Sequence, residues 1–355
     1  MINEILSYFR LYPSDYEIQQ FGAGLINHTF KVKGKDSTYI LQQVNTDVFK
    51  SPEYITDNFA LIQTYLNKLY PDYLFAGAIP CLTGEFLFKS AKGKYYRLFH
   101  FIKGSHTINA VSNTKQAFEA ARQFGRFTSL LKNFDPRILH YTLADFHNLS
   151  LRFKQFEAAL QKAISERIYT ASVEINEVYE HLNILQMYNL IISNREIPIR
   201  VIHHDTKISN VLFDELKNGL CVIDLDTVMP GYFLSDLGDM MRTYLSPANE
   251  EETDISKIHI RNNIFSAICS GYLSNMGDIL TAVEKKYIIY SGELMIYMQA
   301  IRFLTDYLNN DIYYKPNYTG HNLNRAKNQF KLLKEYLARK EKFKEILLSR
   351  VDLSK

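Results

Sequence analysis

The stretch His203-His204-Asp205-Thr206-Lys207-Ile208-Ser209-Asn210-Val211-Leu212-Phe213-Asp214, continued by Leu220-Cys221-Val222-Ile223-Asp224-Leu225-Asp226, decides the reading of this chain. Two short apolar runs, 211–213 and 220–223, flank a polar turn. That pattern predicts a hairpin with polar residues at both ends. An Asp followed five residues later by Asn, on a loop entering a strand, suits phosphoryl transfer from ATP. The reaction needs one group to orient and deprotonate an acceptor hydroxyl, and hard oxygen ligands for magnesium on the triphosphate. Asp205 is the expected base and Asn210 an amide-oxygen ligand. The antiparallel return strand brings Asp224 beside Asn210, and Asp226 is a further candidate ligand. Asp and Asn are common turn residues, so any one alone says little. The joint pattern of H-x-D, Asn at plus five, a hairpin and I-D-x-D is far more specific.

Working outward, the first hundred residues read as strands with one helix. Residues 21–32 and 38–44 form two expected strands joined by Gly34-Lys35-Asp36-Ser37. Ser51-Pro52-Glu53 resembles a helix start, and Ile55, Phe59, Ile62 and Leu66 keep helical spacing until Pro71. Short strands are expected at 85–88 and 95–101. Beyond residue 104 helices dominate, at 114–132, 151–169, 173–193 and, most clearly, 284–308. A small β-rich lobe (1–103) thus precedes a large, mainly helical lobe (104–355) holding one embedded hairpin, an α+β arrangement. The glycine-bearing segment Phe21-Gly22-Ala23-Gly24-Leu25-Ile26-Asn27 fits a strand-turn-strand cover over the ATP phosphates, Gly22 and Gly24 allowing close backbone approach. No Gly-Lys-Ser/Thr follows, so it is not a Walker A loop.

Composition narrows the classes. The 355 residues carry a formal charge of +3, too balanced to predict nucleic-acid binding. The basic end, 327–350, reads as a solvated helix face. No apolar run nears the roughly 20 residues that cross a bilayer, and the opening residues lack a signal-peptide pattern. A cytoplasmic protein is expected. Cys81, Cys221 and Cys269 lie far apart without metal-ligand spacing and are expected to be buried apolar residues.

The 203–226 segment resembles the catalytic and metal-binding loops of the aminoglycoside phosphotransferase and choline kinase superfamily. With the extension Thr227-Val228-Met229-Pro230-Gly231 and with Asp236-Leu237-Gly238-Asp239-Met240-Met241-Arg242, it is most similar to N-acetylhexosamine 1-kinases. Tyr39-Ile40-Leu41-Gln42-Gln43-Val44-Asn45-Thr46 and Arg302-Phe303-Leu304-Thr305-Asp306-Tyr307-Leu308-Asn309 extend the likeness over about residues 20–330. The resemblance implies a bilobed, protein-kinase-like fold. It also implies ATP- and Mg2+-dependent phosphorylation of the anomeric hydroxyl of N-acetylglucosamine or N-acetylgalactosamine. Alternatives are a kinase for another sugar or for an amino alcohol such as choline or homoserine, and a non-catalytic nucleotide-binding pseudokinase.

The resemblance carries further residues. Leu98, Phe99, Phe101 and Ile102 would lie in the hinge, whose backbone holds the adenine edge. His28, Thr227 and Arg302 would border the sugar together with Asp205. The plain alternative for Arg302 is a surface ion pair with Asp306, four residues on. Gln42 occupies the third-strand position where this superfamily usually carries a Lys or Arg for the α/β phosphates. Lys31, Lys33 or the magnesium ion is expected to make up the missing charge.

Overall fold

The computed structural model describes residues 2–22 and 27–349. Strands β1 (Glu17–Gln20), β2 (His28–Lys33), β3 (Thr38–Val44), β4 (Ala78–Ile79), β5 (Phe88–Lys89) and β6 (Tyr95–His100) form one antiparallel sheet. Its order is β1-β2-β3-β6-β4, with β5 also pairing β6. Side chains alternate between sheet faces. Val32, Leu41 and Leu98 therefore enter a small core with Ile5, Leu6 and Phe9 of and just beyond helix α1 (Ile2–Tyr8). The opposite face carries Thr29, Lys31, Gln42 and Arg97, in the registers Thr29↔Gln42 and Gln42↔Arg97. Helix α2 (Pro52–Leu69) starts at Ser51 with proline in its first turn. Its Phe59, Ile62 and Leu66 join the main core of the large lobe.

The large lobe contains α3 (Thr114–Leu130), α4 (Leu149–Lys162), α5 (Ser165–Thr170), α6 (Ser172–Glu180), α7 (Leu182–Asn194), α8 (Phe233–Tyr244), α9 (Asn262–Met276), α10 (Ala282–Lys286), α11 (Ile288–Leu308), α12 (His321–Leu337) and α13 (Lys340–Leu348). Helix α11 is buried on nearly every side, as a central helix must be when its sequence is apolar all round. Helices α3 and α9 approach closely: a Cβ on Gly125 would stand 2.7 Å from the Tyr272 carbonyl oxygen. Two small ribbons interrupt the helices. Strand β7 (Arg200–Ile202) pairs with β10 (Met229–Gly231), and β8 (Val211–Phe213) pairs with β9 (Gly219–Val222). The loop from β7 to β8 holds residues 203–210, and that from β9 to β10 holds 223–228. The two ribbons therefore set these loops side by side.

The bilobed α+β architecture is as expected, while several boundaries differ. The strand expected over 21–32 begins at His28, and β1 precedes it. The strand expected at 85–88 pairs only at Phe88–Lys89. The helix expected over 151–169 breaks at Ala163 and Ile164, both extended (ψ 147° and 146°). The one expected over 173–193 breaks at His181, and 284–308 divides into α10 and α11. The basic terminal segment is helical, and its Phe330, Leu333, Tyr336 and Phe343 pack inward. All three cysteines are buried. No helix among the described residues is long and apolar enough to cross a membrane.

Candidate active site

The loop after β7 is held by buried hydrogen bonds. Asp236, in the first turn of α8, is fully buried. Its carboxylate accepts the backbone N–H groups of His203 (3.0 Å) and His204 (2.7 Å). Asp239, one turn on, accepts the N–H of Thr206 at 2.9 Å and pairs with Arg242. The hydroxyl of Thr206 donates to the Asp236 carbonyl, and that of Tyr244 donates to the Thr206 carbonyl. These bonds hold His204 at φ +68°, a conformation costly for a residue with a Cβ. The His204 ring lies under Gly231, where any Cβ would stand 2.5 Å from Nε2. Its Nδ1 donates to the Thr227 carbonyl. Burial pushes its pKa down to about 3, so the ring is neutral.

His203 ties this loop to the next. One ring nitrogen bonds the Ile223 carbonyl at 2.9 Å, and Nδ1 accepts the N–H of Asp205 at 3.3 Å. The Asp205 carboxylate remains partly open to the cleft. Its Oδ2 receives Asn210 Nδ2 at 3.1 Å and Lys207 Nζ at 3.2 Å. With the amino end of Asn210 committed to Asp205, its carbonyl oxygen is the end offered to a cation. The N–H of Ile223 donates to the Asn210 carbonyl, which sets Asp224 against Asn210 across the ribbon end.

Asp224 also has a left-handed backbone, at φ +59°. Its side chain is exposed by surface area yet lies among the charges of Asp205, Asp226, Lys207 and Arg97. Desolvation is the largest influence pushing its pKa up to about 7. Asp226 and Asp205 add to the rise, while Arg97 and Lys207 oppose it. Asp226 is buried: its Oδ1 lies 2.5 Å from Arg97 Nη2, and its Oδ2 receives Asn27 Nδ2 at 2.8 Å. Among the described residues no group of three or more His, Cys, Asp or Glu forms a self-contained metal cage. The side chains of Asn210 and Asp224 instead have the chemistry of ligands for a hard cation that arrives with phosphate oxygens completing its shell, whereas the expected ligand Asp226 has one oxygen on Arg97 and the other on Asn27.

The remaining candidate residues are spread around the cleft. Gly22 adopts φ +77° with open space around it, while Gly24 lies outside the described residues. Leu98 is buried in the small-lobe core, and Phe99 packs on Phe59. Phe101 bonds Thr38 through its N–H, and Ile102 accepts the Ser105 hydroxyl. His28 is exposed at the start of β2. Thr227 turns its hydroxyl inward to the His203 carbonyl at 2.7 Å. Gln42 receives Arg97 Nε and Nη2 on its side-chain oxygen and donates to Thr29. Lys31 lies over the Phe101 and Phe21 rings, and Lys33 is exposed.

Arg302 is not paired with Asp306. Its guanidinium bonds Gln299 and lies 5.3 Å from the Phe146 ring. That ring is 6.4 Å from the His204 ring, so Arg302 and His204 share Phe146 as a neighbour. The Asp306 carboxylate accepts the N–H groups of Tyr313 and Tyr314 and an amide N–H of Asn322. Arg302 also lines a cavity of about 450 Å³ with Arg152, Lys162, Asp306 and Tyr314. The sequence did not single out Arg97, Asn27 or Arg152. Asp236 and Asp239 are visible in the sequence only within the 236–242 run, and Lys207 only within the run 203–207.

Residues 17–257 match the model of the phosphotransferase enzyme family. Solved structures of similar fold include an aminopropanol kinase associated with a microcompartment (14% identity, TM-score 0.60), covering 95% of this chain and 97% of that one. A spectinomycin phosphotransferase bound to ADP and spectinomycin aligns at 13% identity and TM-score 0.57, over 94% and 93% of the two chains. Choline kinase from Cryptosporidium parvum aligns at 16% identity and TM-score 0.54, over 97% and 95%. At such identities the likeness is one of fold. The family match spans more than half of the chain and coincides with the loops of Asp205, Asn210 and Asp224, and by it the protein belongs to the phosphotransferase enzyme family.

Proposed function

We propose that this phosphotransferase is an ATP-dependent N-acetylhexosamine 1-kinase, its small lobe and hinge (1–103) covering ATP and its large lobe (104–355) supplying the catalytic groups and the sugar site. In this reading Asp205 orients the anomeric hydroxyl and accepts its proton as the oxygen attacks the γ-phosphorus in line. The bond to the β,γ-bridging oxygen breaks, and ADP leaves with that oxygen. Lys207, whose Nζ lies 3.2 Å from Asp205 Oδ2, would orient this carboxylate between transfers. Asn210 and Asp224 would hold Mg2+, which neutralises charge on the triphosphate when bound, with Asp226 beside them tied to Arg97 and Asn27.

The observation that favours a sugar over an amino alcohol is the charge of the cavity that Arg302 lines. Arg152, Lys162 and Arg302 line it. Burial and the neighbouring Arg302 both pull the Arg152 pKa below its ordinary value, as expected for cations held near each other. The one acid in the lining, Asp306, has its carboxylate committed to backbone and amide donors. An ammonium group would meet cations there and no uncommitted carboxylate. The hydroxyls and acetamido carbonyl of a neutral sugar accept from guanidinium groups, and its ring packs on aromatic faces such as those of Tyr313 and Tyr314 in this lining.

The test is ATP turnover across N-acetylglucosamine, N-acetylgalactosamine, other hexoses, choline, homoserine and aminopropanol. An acid-labile product marks the anomeric phosphate. Arg302→Ala should raise the sugar KM about tenfold or more with little change in Tm or ADP affinity. Turnover of an amino alcohol with no turnover of any N-acetylhexosamine would overturn the substrate assignment and leave the kinase reading intact.

A further inference from the structure

We propose that Arg97, on β6, is the protein cation that meets the α/β phosphates of the nucleotide, replacing a side chain at the neighbouring position Gln42. The two residues are directly opposed across β3 and β6, and so project from the same face of the sheet. That face looks onto the metal-binding loop, because Arg97 reaches Asp226 at 2.5 Å. Arg97 is only 5% exposed, and its guanidinium presents a rigid fork of donors suited to phosphate oxygens. Gln42 has become the support of this arginine. Its oxygen receives Nε at 3.1 Å and Nη2 at 2.9 Å, while its nitrogen donates to Thr29.

A lysine at position 42 has no acceptor to offer and would set two cations against each other. The glutamine and the arginine are therefore two halves of one change: the charge has moved by one strand. The bonds to Gln42 and Asp226 leave from Nε and Nη2. Among the described residues none leaves from Nη1, whose two N–H groups remain for phosphate oxygens. Lys31 is engaged at the hinge end, over the Phe101 ring, and Lys33 points to solvent. Asp226 serves as counter-ion of the guanidinium and fixes its direction.

The test compares ADP with adenosine, since only ADP presents the phosphates. Affinities are measured by calorimetry with Mg2+ present, for the wild type, Arg97→Gln and the exchange Arg97→Gln/Gln42→Lys. Arg97→Gln should weaken ADP about ten- to hundredfold, the scale of hydrogen bonds to a charged group, while adenosine changes by less than about threefold. The exchange variant should recover most of the loss. Equal losses for adenosine and ADP, or no loss for either, would overturn the proposal and leave Arg97 as a structural tie. Should Arg97→Gln not fold, the wild-type crystal structure with Mg2+ and a non-hydrolysable ATP analogue decides. Nη1 within about 3 Å of an α- or β-phosphate oxygen supports the proposal, and a nearest approach beyond about 6 Å refutes it. Adenosine binding by the wild type reports separately whether the nucleotide site itself is correctly read.

Discussion

Replacing Asp205 with Asn isolates its proposed role as base, because the surroundings of this carboxylate are tolerant of an amide. Oδ2 receives Asn210 Nδ2 at 3.1 Å and Lys207 Nζ at 3.2 Å, and an amide oxygen at that position can accept both. The lost charge weakens a pair whose lysine side chain is 49% exposed, a loss of no more than about 1 kcal/mol. Stability should therefore fall by about that amount or less, a Tm change of a few degrees. Loss of the proton acceptor should lower kcat by about 10²–10⁴-fold, or roughly 3–5 kcal/mol of barrier. The lower end applies if the acceptor is the relatively acidic anomeric hydroxyl. Calorimetric affinities for Mg·ADP and sugar should remain near wild type, since Asn210, Asp224 and the loop supports are untouched. Undiminished kcat would remove Asp205 from the role of base. A fall in ADP affinity matching the fall in kcat would make it a positioning residue for the nucleotide.

Two further expectations concern the surrounding loops. Gly231→Ala puts a Cβ 2.5 Å from His204 Nε2 and 2.7 Å from Cε1, so the ring must shift and pull on the segment carrying Asp205. Overpacking of this kind costs about 1–3 kcal/mol, and kcat should fall while Mg·ADP affinity holds; wild-type melting and kinetics would show that the contact is relieved freely. The Asp224 pKa is pushed up to about 7, and metal binding requires its carboxylate form. Mg·ADP affinity should drop roughly tenfold from pH 8 to pH 6, as the ionised fraction falls from about nine-tenths to one-tenth. Asp224→Asn should bind more weakly and lose that slope, and an equally steep slope in the variant would assign the titration elsewhere.

The parts of the site legible in the sequence are those within one ribbon of each other. Asp205, Asn210 and Asp224 are brought together by a loop and a tight hairpin, so their spacing nearly determines their geometry. Arg97 carries no such signal, because Tyr95-Tyr96-Arg97-Leu98-Phe99-His100 reads simply as a strand. Its importance depends on which residue of β3 lies opposite, and register is a long-range property. Asn27 reaches Asp226 across 199 positions of sequence. Asp236 and Asp239 act on backbone N–H groups more than thirty residues earlier, and a backbone partner leaves no mark in the pattern of side chains. The helix breaks at Ala163-Ile164 and His181 contain neither proline nor glycine, so apolar periodicity ran through them.

Helix α2 belongs to the small lobe by sequence, yet its buried Asn58 is bound to the large one. The side chain donates to the carbonyls of Val228 and His140 and accepts the N–H of His140. Swinging α2 outward would strand these groups in an apolar setting, at about 1 kcal/mol or more for each of three bonds. Cleft breathing that keeps these three bonds leaves α2 with the large lobe and moves the sheet past it. In this phosphotransferase α2 is thus tied to the large lobe through Asn58.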